Sequence, residues 1–400
     1  MRLEKNLGTG KSLRVVLVIP QPPLPLGGAA SRWHYVLLRG LVERGHRVTA
    51  FAASSTSQVS EALDLFPSPR FDLRLFPHAT RRGWLQRLAS ARQPSSYLFS
   101  RELRDSLSSA LENGFDILHL DELWSGWLGL RVVDRAVLNI HNLYATDLAG
   151  LRSMPAWRYR MTASAERRLL RRYPTITTLT PRLSAEVRRI HPKATVNTIP
   201  VGLPLARYLF VTPGQGARLT VGLIGSYSWA PTFSAAERLL DRLWPAIHKQ
   251  MPHVRLHLVG RRARTVMATR TLDDEVSVME DVADIEPYFR ELDVLLFAPS
   301  HATGMKIKVL EAMAFGLAVV TNRDGVEGLP AEDGIHAGVA EDDEGLVERT
   351  VLLLKSVEKR AQQAAAARAL VEQHCSGDAA VDATVAHYQT MLSNAHHPKR

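Results

Sequence analysis

The feature that most restricts how this chain can fold is a strand–loop–helix–strand pattern near its start. Residues 14–19 are a short, mostly apolar run, and two glycines, Gly27 and Gly28, follow it. Residues 31–44 then repeat apolar side chains at helical spacing, and residues 47–51 are suited to a second strand. Two strands separated by one helix predict a parallel pair joined by a right-handed crossover, which is the building unit of an open α/β sheet.

The alternation of strand and helix continues through the first half and then stops. Further strands are predicted at residues 71–76, 117–120, 136–140, 176–179 and 195–200, with helices at 101–112 and 156–171. Residues 203–217 contain two prolines, two glycines and no clear periodicity, which is typical of a connection between domains.

After this connection the pattern starts again. Strands are predicted at residues 219–224, 255–259, 276–279, 294–297 and 318–321, and helices at 231–243 (capped by Thr232 or Ser234), at 306–315 and over most of 345–391. The whole pattern predicts an α/β protein of two Rossmann-like, doubly wound domains, residues 1–205 and 218–400, with a linker at 206–217. Since ligands on such sheets bind at the carboxyl ends of the strands, we expect a central cleft between the domains. The last helix is a candidate for packing back on the first domain.

The composition is that of a globular protein. The 400 residues are 46% hydrophobic and 22% charged, and no apolar run reaches the ~18 residues that a membrane span needs. The apolar run at 15–19 is followed by prolines and is interpreted as a buried strand, not as part of a signal peptide. The single cysteine, Cys375, cannot form an internal disulfide, so a reducing compartment and a cytoplasmic location are expected.

The net charge of +10 is unevenly distributed. Residues 1–205 carry 29 Lys and Arg against 15 Asp and Glu, whereas residues 206–400 carry 21 against 25. This excess suggests that the first half faces an anionic partner, although an Arg-rich solvated surface gives the same count. Residues 80–88 combine Arg with Trp and Leu, which suits peripheral contact with the inner face of an anionic membrane. No nucleic-acid recognition motif is present, so nucleic acid is not expected as a partner.

The segment with the strongest chemical character lies at residues 303–316. It predicts a loop followed by a helix N-terminus, whose free amides and positive dipole end suit a phosphate group. Lys306 and Lys308 add two cationic donors for a diphosphate, and Gly304 lets a ligand approach the backbone closely. Glu311 lies one helical turn after Lys308, so its carboxylate is expected to accept two ribose hydroxyls. The alternative is an amphipathic helix with solvated charges, but the surrounding residues are too apolar for an exposed helix.

Polar residues at other strand ends complete the candidate site. His141 follows the predicted strand at 136–140 and can donate to a sugar hydroxyl or orient an acceptor; a structural role in closing a loop is the alternative. His141, Lys306 and Lys308 are the candidate catalytic residues. The further donor-side candidates are Gly27, Gly28, Gly225, Ser226, Arg261, Thr303, Gly304, Met305, Ile307 and Glu311, and the acceptor-side candidates are His119, Asp121 and Glu122.

Several stretches, taken in order, resemble one known family. They are RVVLVIP at 14–20 with Gly27 and Gly28, LVERGHRVT at 41–49, DILHL at 116–120, IHN at 140–142, LTPRLS at 179–184 and IPVGL at 199–203. The most specific are VADIEPYF at 282–289 and GMKIKVLEAMAFGLAVV at 304–320. Over nearly its whole length the chain resembles glycosyltransferases of family four, which have the GT-B fold.

The resemblance implies retaining transfer of a sugar from a nucleotide diphosphate donor, with a UDP-sugar favoured, to a hydroxyl group of a glycan, a lipid-linked molecule or a small molecule. It also implies that the first domain holds the acceptor and the second holds the nucleotide. Glu311 matches the family glutamate that binds the ribose, and residues 305–308 match the loop that contacts the phosphates. His141 matches the family histidine near the donor sugar, and Gly28 matches the loop beside the diphosphate.

Position 303 departs from the family pattern. The first glutamate of the E-x7-E motif would lie there, and this chain has Thr303. The change leaves the donor sugar open, and the pair Lys306 and Lys308 resembles a subgroup that also lacks this glutamate. Thr303 is the support for an alternative function, a catalytically idle GT-B module that binds a nucleotide or a partner. A third hypothesis is a sugar-nucleotide epimerase with the same fold, and the pair Lys306 and Lys308 disfavours it.

The sequence carries no sign of a metal site. No Asp-x-Asp triplet occurs, and no Cys/His cluster has metal-ligand spacing. Lysines and a helix N-terminus can neutralise a departing diphosphate without a metal cation. We therefore expect metal-independent transfer that needs no cofactor, with the nucleotide-sugar acting as a substrate.

Overall fold

The computed structural model describes residues 12–25, 28–54, 68–78, 92–149, 155–210, 218–267, 270 and 273–396. Among the features predicted above, Gly27, residues 80–88 and residues 211–217 of the linker lie outside the described residues.

The first domain is built on a parallel sheet, which within the described residues has seven strands in the order β3-β2-β1-β4-β5-β6-β7. The strands are β1 Arg14–Ile19, β2 Arg47–Ser54, β3 Phe71–Pro77, β4 Ile117–Asp121, β5 Ala136–Ile140, β6 Thr175–Thr178 and β7 Thr195–Thr198. The strand order reverses between β1 and β4, which places a ligand-binding switch point at their carboxyl ends.

The second domain repeats this design with six described parallel strands in the order β10-β9-β8-β11-β12-β13. The strands are β8 Thr220–Ile224, β9 Arg255–Gly260, β10 Val276–Glu280, β11 Val294–Phe297, β12 Ala318–Thr321 and β13 Gly338–Val339. Its switch point lies between β8 and β11. Every residue of β4, β5, β8, β11 and β12 is buried, as expected for parallel strands that helices cover on both faces.

The described helices cover both sheets. In the first domain they are α1 Ala29–Glu43, α2 Arg101–Glu112, α3 Tyr144–Ala149, α4 Ala156–Leu170 and α5 Pro181–Ile190. After the linker they are α6 Ala230–Arg238, α7 Trp244–Gln250, α8 Glu286–Glu291, α9 Ile307–Phe315, α10 Asp343–Lys355, α11 Val357–His374 and α12 Gly377–His396. This architecture confirms the predicted α/β fold of two Rossmann-like, doubly wound domains.

The helix predicted at residues 231–243 differs from the structure in its beginning and its end. It begins at Ala230, so neither Thr232 nor Ser234 caps it, because Pro231 occupies the first turn. At its other end it passes through a π-helical turn, Leu239–Leu243, into α7. Pro245 explains the wider turn, since its nitrogen cannot donate to the preceding turn of an α-helix.

The last helix, α12, crosses back to the first domain and packs against α1. A Cβ atom on Gly40 of α1 would lie 2.6 Å from a methyl group of Val381, so glycine is what lets the two helices approach. Arg44 donates to the carboxylate of Asp382 at 2.6 Å and lies 3.4 Å from that of Asp378. The chain end is therefore part of the first domain in space, although it follows the second domain in sequence.

Candidate active site

The carboxyl ends of the two sheets face each other, and their loops are in contact. The loop after β11 contains Gly304, whose backbone has a φ of 76°. A Cβ atom on Gly304 would overlap the carbonyl oxygen of His141 and lie 2.9 Å from its carbonyl carbon. The amide of Leu143, in the same first-domain loop, donates to Oγ1 of Thr303 at 2.8 Å. Glycine at 304 is therefore needed both for its positive φ and for contact with the backbone of the other domain.

Thr303, a predicted donor-binding residue, is held by a carboxylate of the first domain. Its amide and its Oγ1 both donate to Oδ1 of Asp147, at 2.8 and 2.9 Å. Asn142 donates to the other oxygen of Asp147 at 2.7 Å. Burial raises the pKa of Asp147, and these hydrogen bonds from Thr303 act against the shift. Where the family motif would have a glutamate, this chain has a threonine in the contact between domains.

Lys306, a predicted catalytic residue, is buried in the same contact. Its ammonium donates to the carbonyl oxygen of Gly304 and lies 3.8 Å from Oε2 of Glu327. Glu327 also accepts from Oγ1 of Thr180 at 2.6 Å and pairs with Arg182 at 3.1 Å. Burial lowers the pKa of Lys306 to about 8, although Glu327 opposes the shift. In this structure the nearest carboxylate to the ammonium of Lys306 is that of Glu327, and the role of Lys306 toward a diphosphate stays a prediction.

Lys308 reaches from α9 to the carboxyl end of β8. Its ammonium donates to Oγ1 of Thr232, and a Cβ atom on Gly225 would lie 2.6 Å from it. The rings of Trp229 and Phe297 have their centroids 5.0 and 4.4 Å from Nζ. Burial lowers the pKa of Lys308 to about 7. Among the described residues no carboxylate forms an ion pair with Lys308, so this position favours an anionic ligand.

The carboxylate of Glu311 is held from two sides at the edge of a pocket. A guanidinium nitrogen of Arg32 on α1 lies 2.7 Å from Oε2 and 2.6 Å from Oε1, and the hydroxyl of Tyr208 donates to Oε1 at 2.9 Å. Burial raises the pKa of Glu311, and the charge of Arg32 opposes this. All three residues line a pocket with about 410 Å³ of empty space between the domains. The oxygens expected to hold a ribose therefore bind Arg32 in this structure.

The N-terminus of α9 lies beside these residues. The helix begins at Ile307 after Lys306, and no side chain caps it. The amides of Val309 and Leu310 donate to the carbonyl oxygen of Lys306, and the amides before them are the ones that an anion at the helix end can bind. Met305, another donor-side candidate, faces the first domain instead: the amide of Val201 lies 3.3 Å from its sulfur. The predicted loop and helix N-terminus are thus present. Lys308 and Glu311 face the cleft, whereas Met305 and Lys306 lie in the contact between the domains.

Two further donor-side candidates lie at the strand ends of the second domain. Ser226 follows β8, and its hydroxyl lies 2.8 Å from that of Ser228. Arg261 follows β9 with an exposed side chain, and its carbonyl oxygen accepts from the amide of Tyr227 at 2.9 Å. On the first domain, Gly28 precedes α1 without a side-chain cap, and it is exposed.

Four nitrogen-bearing side chains surround a fully buried carboxylate at the end of β4, and we name this group the Asp121 cluster. Nε2 of His34 contacts Oδ2 of Asp121. Nε2 of His119 and Nε2 of His141 lie 3.3 and 3.2 Å from Oδ1, and Asn139 donates to Oδ1 at 2.5 Å. Two of the three acceptor-side candidates and one predicted catalytic residue therefore share one hydrogen-bond network.

The charged groups of the Asp121 cluster interact strongly because they are buried. Burial by itself would raise the pKa of Asp121, but His141 and His34 hold that pKa well below its usual value. Burial would lower the pKa of His141, but Asp121 outweighs burial and the pKa is raised. The cluster therefore favours an ionised Asp121 and a protonated His141.

Glu122, the third acceptor-side candidate, follows Asp121 with a backbone φ of 64°. Such a conformation costs ~1–3 kcal/mol for a residue other than glycine and often marks a functional position. Burial raises the pKa of Glu122, and the positive charge that His141 and His34 can carry acts against this. The structure thus brings a second carboxylate to the same strand end.

The sequence analysis missed several residues that the structure brings to this region. They are His34, Asn139 and Tyr388 in the Asp121 cluster and its surroundings, Arg32 and Tyr208 at Glu311, Asp147 at Thr303, and Thr232 at Lys308. The position of Arg32 in the first turn after the glycine loop was the available signal. Tyr388 carried no signal, because its partner is far away in sequence.

Within the part of the chain that the structure describes, no group of His, Cys, Asp and Glu residues could hold a metal ion.

Two family models match the chain in succession. Residues 27–202 match a "glycosyl transferase 4-like domain", and residues 218–356 match "glycosyl transferases group 1". Together they span most of both domains and leave out the linker and the two C-terminal helices. No curated protein sequence matches the chain.

Solved structures with the same two-domain architecture are similar over nearly the whole chain. Sucrose-phosphate synthase from Thermosynechococcus elongatus has a TM-score of 0.74 at 16% identity, covering 95% of this chain and 99% of its own. Anabaena HepE in complex with UDP and glucose has a TM-score of 0.71 at 13% identity, covering 94% and 100%. WaaG, a glycosyltransferase involved in lipopolysaccharide biosynthesis, has a TM-score of 0.63 at 16% identity, covering 92% and 99%. The chain thus belongs to the glycosyltransferases of the GT-B fold, with a 4-like first domain and a group 1 second domain.

Proposed function

We propose that this chain is a retaining, metal-independent hexosyltransferase that takes its sugar from a nucleotide diphosphate donor, with a UDP-sugar favoured. The observation that carries the proposal is the pair Lys308 and Glu311 on α9, a half-buried lysine and a buried glutamate one helical turn apart at the domain cleft. The ammonium suits a diphosphate, and the carboxylate suits the ribose hydroxyls. The similar HepE structure contains UDP and glucose, which supports UDP as the nucleotide.

The chemistry follows from the charges at the cleft. The bond between the sugar carbon C1 and the phosphate oxygen breaks, and the diphosphate leaves with an additional negative charge. Lys308 and the uncapped N-terminus of α9 stabilise that charge, which accounts for acceleration without a metal. The acceptor oxygen bonds to C1 on the same face, and the departing phosphate oxygen takes the acceptor proton. No side-chain nucleophile is needed for this route.

The acceptor is proposed to be a hydroxyl group that enters from the first domain, beside the Asp121 cluster and Glu122. A glycan, a lipid-linked molecule and a small molecule all provide such a group. WaaG, which is similar in structure, is involved in lipopolysaccharide biosynthesis, and this supports a lipid-linked acceptor.

An idle nucleotide-binding or interaction module is the alternative. Two observations favour it: Thr303 is bound by Asp147, and the Glu311 carboxylate is bound by Arg32. In such a module these contacts would be permanent and would exclude the donor. Hydrolysis of the nucleotide-sugar in the absence of an acceptor separates the two functions, because an idle module leaves the donor intact.

The test is thermal unfolding with saturating UDP, GDP, ADP or dTDP, for the wild type and Glu311→Gln. A nucleotide at about 100 times its Kd stabilises by ~2.7 kcal/mol, and we expect UDP to give the largest rise in Tm. Glu311→Gln is expected to abolish that rise, because the neutral amide holds the ribose hydroxyls weakly. Glu348→Gln on the exposed side of α10 is the matched control and should keep the full rise. Absence of a rise with every nucleotide in the wild type would support the idle module.

We also propose a cytoplasmic protein that contacts an anionic membrane peripherally. Among the described residues, no helix has the length and apolar character to cross a bilayer. On α4 the side chains of Trp157 and Met161 are 62% and 36% exposed, and Arg158 and Arg160 beside them are exposed as well. Exposed apolar side chains among arginines suit the interface of an anionic bilayer.

The membrane proposal predicts binding that depends on salt. The protein should co-sediment with phosphatidylglycerol-containing vesicles at low ionic strength and be released at high ionic strength, because surface charges are then screened. The double variant Trp157→Ser, Met161→Ser should bind less at the same salt, whereas Leu352→Ser, another exposed apolar residue on α10, should not change binding. Failure of the wild type to bind at low salt would end this proposal.

A further inference from the structure

The carboxylate of Glu311 has two partners that come from different parts of the molecule. Arg32 reaches both of its oxygens from α1 of the first domain. The hydroxyl of Tyr208, in the segment that connects the two domains, donates to Oε1 alone. Because a carboxylate can accept about four hydrogen bonds, the phenol uses only part of this capacity. The two contacts therefore differ in what they mean for a ligand that binds Glu311.

Tyr208 follows the first domain in sequence, but its contacts attach it to the second domain. Its ring meets that of Phe315 edge-on, with the centroids 4.9 Å apart, and Phe315 lies one helical turn after Glu311 on α9. Arg368 of α11 donates to the carbonyl oxygen of Tyr208 at 2.6 Å and also donates to that of Ala314, in the last turn of α9. One guanidinium thus holds the connecting segment against the helix that carries Glu311. Tyr208 therefore keeps its place beside this carboxylate when the two domains move relative to each other.

Arg32 is held in a different way, because its backbone belongs to the first domain. Its amide donates to the carbonyl oxygen of Gly28 in the first turn of α1, and its side chain crosses the cleft to Glu311. Ribose hydroxyls that bind Glu311 compete with Arg32 for the same oxygens. Exchange of Arg32 for these hydroxyls leaves the hydrogen bond from Tyr208 in place.

The phenol of Tyr208 is suited to holding a carboxylate permanently. The residue is only 6% exposed, so water competes weakly for the hydrogen bond. Burial and the charge of Glu311 both raise the pKa of Tyr208 above its usual value, so the phenol keeps its hydrogen and donates it. A glutamate side chain is long and flexible, and fixing it before a ligand arrives removes that entropy cost from binding.

We infer that Tyr208 is a positioning residue of the nucleotide site: its phenol holds Glu311 in the direction in which the carboxylate accepts ribose hydroxyls, and Arg368 holds Tyr208 against α9. Tyr208 and Glu311 line the same pocket between the domains, together with Phe315. The identity of the ligand as a nucleoside diphosphate rests on the proposed transferase function. The connection between the domains thus takes part in selecting nucleotides that carry the ribose hydroxyls.

The role of Tyr208 is tested by calorimetric titration with UDP and with 2′,3′-dideoxy-UDP, which lacks both hydroxyls. The wild type should bind UDP about 100-fold more tightly, since the analogue loses two hydrogen bonds to a charged group. Tyr208→Phe keeps the ring against Phe315 and removes only the hydroxyl. We expect this variant to bind UDP about tenfold more weakly and the analogue as tightly as the wild type does, because only UDP uses the oriented carboxylate.

The matched control is Tyr173→Phe. The hydroxyl of Tyr173 is also buried and donates to a backbone carbonyl oxygen, that of Gly126 in the first domain, so its loss tests the effect of removing a buried phenol elsewhere. This control should keep the 100-fold preference. Arg368→Met should narrow the preference as Tyr208→Phe does, because it releases the tyrosine from α9. Adding Tyr208→Phe to Glu311→Gln should change the affinity for UDP no further, since the phenol acts through that carboxylate.

The outcomes separate this inference from the proposed function. An equal loss of affinity for UDP and for the dideoxy analogue in Tyr208→Phe, or no loss for either, would overturn the inference, while binding of UDP by the wild type would still support the proposed function. Failure of the wild type to bind UDP would overturn both.

Discussion

Gly304→Ala is expected to reduce sugar transfer by about 100-fold or more while each domain remains folded. The new Cβ would overlap the carbonyl oxygen of His141, which is a backbone atom, so the two loops must shift apart. The clash is relieved by separating the two domains, which leaves the donor site of the second domain intact and removes the first domain from it. Transfer from the nucleotide-sugar that stabilises the wild type measures the effect, and far-UV circular dichroism checks the fold.

The matched control is Gly334→Ala. Gly334 also has a positive φ, 78°, but no heavy atom lies within 4 Å of the position of its Cβ. Alanine there should cost the ~1–2 kcal/mol of a left-handed backbone without affecting the domain contact. We expect near wild-type transfer from the control and a larger radius of gyration in solution scattering for Gly304→Ala alone. Transfer within tenfold of wild type in Gly304→Ala would show that this contact is not needed for the reaction.

Lys308→Met is expected to reduce transfer by about 100- to 1000-fold, the usual effect of removing a group that stabilises developing charge. The charge of Lys308 is the part of the site that no described carboxylate neutralises, so it is available to a diphosphate. The loss should appear in kcat, because the charge on the phosphate is greatest when the sugar departs. Lys355→Met, at the exposed end of α10, removes a lysine far from the cleft and should leave kcat unchanged.

Although Lys308→Met is expected to reduce transfer, it should increase the stability of the fold at low pH. Burial lowers the pKa of Lys308 to about 7, whereas the pKa of a lysine in the unfolded chain is ~10.4. Between these values the unfolded chain binds more protons, so the contribution of Lys308 to stability rises with pH across this window and is least below pH 7. Lys308→Met should therefore raise the Tm at pH 6. A lower Tm at pH 6 would mean that the ammonium has a stabilising partner beyond Thr232.

Much of the fold could be predicted because local patterns determine it. The apolar runs at β1, β5, β11 and β12 had the observed bounds, since strands buried on both faces leave a continuous apolar signature. The helix predicted at 231–243 begins one residue earlier, at Ala230, and continues through a π-helical turn into α7. Pro231 and Pro245 are the local reasons for these differences.

The candidate site was less predictable, because its contacts are between residues far apart in sequence. Lys306 and Lys308 look equivalent in the sequence, yet one ammonium faces Glu327 and the other faces Thr232. Their side chains leave the start of α9 in different directions, so a separation of two residues places the two charges in different surroundings. Asp147 accepts hydrogen bonds from the amide and the hydroxyl of Thr303, which lies 156 residues later in the sequence. No local sequence pattern predicts this pairing.

The sequence by itself determined the two-domain α/β architecture, the strand ends that form the candidate site and the residue types available there. These features depend on periodicity and on the chemistry of single side chains. Only the tertiary structure decided which charged groups have a partner. Arg32 pairs with Glu311, Glu327 lies near Lys306, and three imidazoles contact Asp121. The physical reason is that burial makes every charge depend on its nearest partner, and those partners are brought together only when the two domains and the last helix pack against one another.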